Sequence, residues 1–124
     1  MTAESLNLFA YLRALIERLM FDARYNRVEA ERVIHSVQAT LGDIGAEYEG
    51  TPPEGLEAIY SLMRESVELF DLSCQQILAF VATDNEEYLM GALAQAEEAD
   101  DVLMMVTDLV SEQKSHLEAM AEAY

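Results

Sequence analysis

The chain has 124 residues, 52% of them apolar, and 24 acidic against 7 basic side chains give it a net charge of −17. That length suits a single domain over 1–124, and the apolar share is too high for a disordered chain even at this charge. With two prolines, five glycines and one cysteine, the composition leaves most of the chain free to be helical and excludes an internal disulfide or a cysteine metal cluster.

In chain order, the apolar residues Leu6, Phe9, Ile16, Met20, Ala23, Ala30, Ile34, Val37, Leu41, Ile44 and Tyr48 recur at steps near three and four, with Arg13 and Arg27 filling the gaps. This helical stride predicts one inward-facing stripe. Asn26 followed by Glu29 reads as a capping pair that divides the stripe into helices over about 4–24 and 27–48. Without that break the first helix is a single long one, in a three-helix bundle. Gly50-Thr51-Pro52-Pro53 ends the segment, because proline suits a first turn and not a helix interior. A third helix over about 54–83 carries Leu56, Tyr60, Met63, Val67, Phe70, Cys74, Ile77 and Val81 inward. Further apolar positions on it (Ile59, Leu62, Leu69, Leu72, Leu78, Phe80) predict a wide core or a homodimer seam. Thr83-Asp84-Asn85-Glu86-Glu87 is a tight reversal in which Thr83 or Asp84 caps the next helix and the glutamates favour its positive end. The last helix, about 85–122, directs Leu89, Ala92, Ala96, Ala99, Leu103, Val106, Val110, Leu117, Met120 and Tyr124 inward, with Gln113 in register. The expectation is an all-α antiparallel bundle of four helices, whose two long last helices overhang or pair with a second copy.

No apolar run approaches the roughly 18 residues of a membrane span, and MTAESLNLF carries no basic segment ahead of its apolar residues. A cytoplasmic protein is expected, with Cys74 as a small buried hydrophobe. Charge is uneven: five arginines (Arg13, Arg18, Arg24, Arg27, Arg32) balance five acids in residues 1–32, whereas residues 33–124 hold only Arg64 and Lys114 against nineteen acids. Such a surface repels phosphate backbones and anionic lipid and attracts a basic protein surface, so no nucleic-acid or membrane partner is expected. With no glycine-rich phosphate loop, serine elbow or zinc-protease motif, an ordinary enzyme is disfavoured and no cofactor is expected.

His35 is the residue most open to chemistry. At 3.6 residues per turn it falls about 140° from the stripe of Ala30, Ile34, Val37 and Leu41, and so faces solvent. Its face holds Val28, Glu31, Ala39, Gly42 and Ala46, with Gln38 at the side. Exposed helix faces ordinarily carry long charged side chains, and a bare patch around an exposed imidazole suits the close approach of another surface. The alternative is that Ala and Gly let this face pack on a neighbouring helix or a dimer mate.

The run His35-Ser36-Val37-Gln38-Ala39-Thr40-Leu41-Gly42-Asp43-Ile44-Gly45-Ala46 resembles the motif of histidine-containing phosphotransfer (HPt) domains, which are acidic four-helix bundles. Their pattern is His, any residue, an apolar residue, Lys, Gly and Ser, then an apolar residue, Gly and often Ala. His35, Val37, the Thr40 hydroxyl and Ile44-Gly45-Ala46 match, and Asn26 stands where such domains often have a capping Asp. The family's Lys is Gln38 and its Gly is Ala39, and the similarity spans about residues 5–48. The resemblance implies that a neutral imidazole nitrogen of His35 takes a phosphoryl group from an aspartyl phosphate on a receiver domain. The receiver supplies the metal, and Gln38 gives at most one neutral hydrogen bond to the phosphate.

A metal reading rests on spacing. Glu31 with His35, and Glu112 with His116, stand four residues apart on one helix face, and Glu97 and Asp101 with Glu98 add carboxylates. Di-iron bundles pair Glu with Glu-x-x-His, and that three-residue spacing is absent. Met104 and Met105 follow the acidic cluster Glu97, Glu98, Asp100 and Asp101 and serve as core or as an adaptable contact surface. Taken together, the sequence favours a non-enzymatic acidic helical-bundle module that binds another protein, as adaptor, chaperone or signalling intermediate. The alternatives are an HPt-like phosphocarrier and a carboxylate and histidine metal bundle.

Overall fold

The computed structural model describes residues 7–122, four helices in the order α1 (Leu8–Phe21), α2 (Arg27–Glu47), α3 (Glu57–Thr83) and α4 (Glu87–Glu122). No helix among the described residues is long and apolar enough to cross a membrane. The expected break at Asn26 is real. Its side-chain oxygen accepts the backbone N–H groups of Val28 and Glu29, two of the donors that a helix start leaves without partners. Glu29 does not complete the expected capping pair in return, since its carboxylate is taken by Arg32 at 2.6 and 2.7 Å.

Several boundaries differ from the sequence expectation, among them the start of α1, which falls at Leu8 because the Asn7 side chain accepts the Ala10 N–H as its cap. Helix α1 stops at Phe21, because Asp22 is extended and its carboxylate accepts the N–H of Arg24, closing a turn. Residues 4–6 of the expected first helix lie outside the described residues. Helix α3 starts at Glu57 rather than 54, because Gly55 has a left-handed φ of +89°, and the Leu56 N–H bonds back to the Pro53 carbonyl. Neither Thr83 nor Asp84 caps α4. Asp84 ends α3 in the left-handed region at φ 64°, and it is the Asn85 side chain that accepts the Glu87 N–H.

Helices α3 and α4 form the most extensive pair, with α2 along α3 and α1 along α4. Ser66 donates to the Ala99 carbonyl at 3.1 Å and Ser73 to the Ala92 carbonyl at 2.7 Å. Numbers that rise on one helix as they fall on the other make this pair antiparallel. Ala92, Ala96 and Ala99 are fully buried between those bonds, and such small side chains permit a close approach of the helix axes. On the other flank, Gln38 of α2 donates to Asp71 of α3, and Arg64 of α3 donates to the carbonyls of Tyr48 and Gly50.

The core differs from the expected stripe in α1. Leu12, Leu15, Ile16 and Leu19 are buried, whereas Phe9 and Met20 are half-buried and Ala23 is exposed. The turn at Asp22–Asn26 resets the helical phase, so a single stripe does not run through both helices. In α2, Ala30, Ile34 and Leu41 are buried, while Val37 and Ile44 are only partly covered. In α4 the expected inward set holds through Val106, but Val110, Leu117 and Met120 are exposed, as are Met104 and Met105. The methionine pair is therefore not core. Leu6 and Tyr124 lie outside the described residues. Cys74 is buried, and burial pushes its thiol up to about 12, with Asp71 adding to the effect, which disfavours the nucleophilic thiolate.

Candidate functional site

Two candidate surfaces use α2. The first is the face of His35. Its imidazole is exposed, with Nε2 4.0 Å from a Glu31 carboxylate oxygen. Val28, Ala39, Gly42 and Ala46 are exposed on the same helix, and a Cβ added at Gly42 would meet nothing within 4 Å. Among the described residues, no helix of the chain covers this face, so it does not pack within the bundle. Gln38 is placed otherwise than a phosphate ligand requires. It is half-buried, and its amide donates to Asp71 at 3.2 Å, so it points at α3. Thr40 is likewise occupied, donating to the Ser36 carbonyl one turn back.

The second surface is a groove between α1 and α2. It follows from unequal helix lengths. Helix α1, with 14 residues, is about 21 Å long, and α4, with 36, is about 54 Å. All buried residues of α1 lie from Leu12 onward, toward the α1–α2 turn. At the other end of α1 the seam with α2 is open, and the two helices scarcely touch. The opening is a cavity of about 950 Å³. Its walls are Leu8 and Tyr11 on α1 and Val37 and Ile44 on α2, and its floor includes Val67 and Phe70 of α3 and Leu103 of α4. Tyr11 and Met104 stand at its mouth, both more than half exposed. Arg32 also borders it, but Glu29 engages the guanidinium, raising its pKa further through the hydrogen bond and the charge. The polar lining is otherwise mainly Ser and Thr hydroxyls, Asn7 and Asp100. Apolar walls with few polar groups are the character of a binding cleft.

Sequence reasoning missed this groove because it treated Val37 and Ile44 as core. The signal that would have found it was the length mismatch between the first and last helices. The remaining candidates do not converge. Among the described residues, no group of three or more His, Cys, Asp or Glu side chains is placed to hold a metal ion, the pairs Glu31–His35 and Glu112–His116 and the carboxylates Glu97 and Asp101 included. Comparison with protein-family models, with curated proteins and with solved structures found no match.

Proposed function

We propose that the chain is a non-enzymatic interaction module whose groove between α1 and α2 takes an amphipathic helix from another protein. The observation that carries this reading is the open seam itself. Val33, Val37, Ile44, Met63 and Leu103 are left half-covered in a helical bundle where a fifth helical surface would cover them. A helix laid into an apolar groove is a common mode of recognition, anchored by residues at three- and four-residue spacing. The test is calorimetric titration with a helical peptide that has leucines on one face and glutamines on the other. Binding is expected in the micromolar range, and Val37→Asp weakens it about tenfold or more by placing a carboxylate against apolar walls. A titration without heat or saturation for the wild-type chain, or equal affinity in the variant, removes the groove reading.

A second reading, a phosphocarrier acting through His35, draws support from the exposed imidazole and the small side chains around it. In that chemistry the imidazole nitrogen attacks phosphorus in a receiver's aspartyl phosphate. The N–P bond forms, the P–O bond to the aspartyl carboxylate breaks, and the ring proton leaves to solvent. The Glu31 carboxylate repels an incoming phosphoryl group, and Gln38 is held by Asp71, so transfer by this face is slow at best. On this reading, acetyl phosphate with a receiver domain gives an acid-labile adduct that is lost in His35→Gln. An unlabelled wild-type chain leaves the docking function alone.

A further inference from the structure

We propose that the docking site continues beyond the groove along the free side of α4 as far as Met120, and that it selects a basic amphipathic helix. This inference rests on the groove reading and extends it. Leu103, Val110 and Leu117 repeat every seven residues, and so lie along one line of α4. Leu103 is the half-buried member inside the groove, whereas Val110 is 49% and Leu117 65% exposed. The apolar line thus runs out of the groove, with Thr107, Gln113 and Lys114 between its members. Among the described residues, no other helix covers it, although the segment 54–56 borders it beside Gln113 and Leu117. On one flank α1 begins at Leu8, which lines the groove, and on the other the chain before α3 reaches α4 through a hydrogen bond from Gln113 to the Gly55 carbonyl. Every described residue after Leu109 is exposed. From Leu103 to Met120 the line is about 26 Å long, the span of a partner helix of about 18 residues.

Charge decides what kind of helix. The extension bears Asp108, Glu112, Glu118 and Glu122 against Lys114, on a chain of net charge −17. On the α2 side, Asp43 and Glu47 are exposed one heptad beyond the groove residues Ser36 and Thr40. A helix with lysine or arginine beside its apolar face meets these carboxylates favourably. A second copy of this chain brings its own excess of acid to the same place, and like charges across an interface are unfavourable.

The test uses the full chain and two peptides of about 18 residues with one leucine pattern, their polar faces lysine in one and glutamate in the other. The lysine peptide is expected to bind at least about tenfold more tightly than the glutamate peptide, and to lose affinity as salt rises from about 50 to about 500 mM. The double substitution Val110→Ser with Leu117→Ser, at two exposed positions, is expected to weaken it about tenfold while the helical signal is kept. If that variant binds as the wild type does while Val37→Asp does not, the extension plays no part and the groove reading stands. If both variants bind normally, both readings fall. Equal affinity for the two peptides overturns the charge selection. Sedimentation at twice the chain mass, strengthening with salt, makes a second copy the occupant instead.

Discussion

Ile34→Ala will lower the unfolding free energy by about 2–5 kcal/mol, the range for removing a large aliphatic side chain from a closed core. Ile34 is fully buried on α2. Ala30 and Leu41 are the other buried residues of that helix, and Val37 and Ile44 face the groove, so Ile34 is its largest fully enclosed anchor. The loss should also be local. Opening of α2 away from α3 breaks the Gln38–Asp71 bond and spares the α3–α4 pair. Amide exchange of residues 36–46 is therefore expected to accelerate more than exchange in α3, as a low-stability cooperative unit does. Val28→Ala, 77% exposed on the same helix, should fall within about 0.5 kcal/mol of the parent. Uniform acceleration across all four helices would show that α2 is not separately anchored.

The second large effect is expected from Ala96→Leu. Ala96 is fully buried between two side-chain bonds that tie α3 to α4, Ser73 to the Ala92 carbonyl and Ser66 to the Ala99 carbonyl. Three added carbons have no space unless the axes separate, and separation stretches both bonds. Overpacking of this kind costs about 1–3 kcal/mol, and each serine bond contributes about 1 kcal/mol more. A total of about 3–5 kcal/mol is expected by chemical denaturation. The same change at Ala94, exposed two residues away, should have little effect. A neutral Ala96→Leu would mean that the α3–α4 contact is looser than the small-residue stripe implies.

The helix count, the Asn26 cap and the burial of Phe70, Cys74 and Ile77 were all readable from sequence, because each depends on periodicity or on a side chain acting within one turn. What failed depended on tertiary length and phase. The α1 stripe was assigned through a turn that resets it, so Leu12, Leu15 and Leu19 were passed over in favour of Phe9 and Ala23. Gly55 was overlooked beside the two prolines, although its left-handed backbone is what delays α3 to Glu57. Ser66 and Ser73 break the apolar pattern of α3, yet both are buried, because each hydroxyl finds a carbonyl on α4. No local rule reveals that partner. For the site, the exposure of His35 followed from helical angle alone, whereas the engagement of Gln38 needed the position of Asp71 on another helix. The groove is absent from any local pattern, since its lining is drawn from all four helices.

The acidic surface and the groove act at different ranges. On the proposed reading, net charge accelerates the encounter with a basic partner and loses effect with salt, while affinity comes from the apolar area that the seam leaves uncovered.

The most direct measurement is the side-chain methyl spectrum of the full chain during titration with the leucine and lysine peptide. Shifts are expected at Val37, Ile44, Met63, Leu103 and Met104, which border the groove, with Ala39 and Ala46 on the His35 face unmoved. Shifts confined to Ala39 and Ala46, or spread evenly over the acidic surface, would contradict the account.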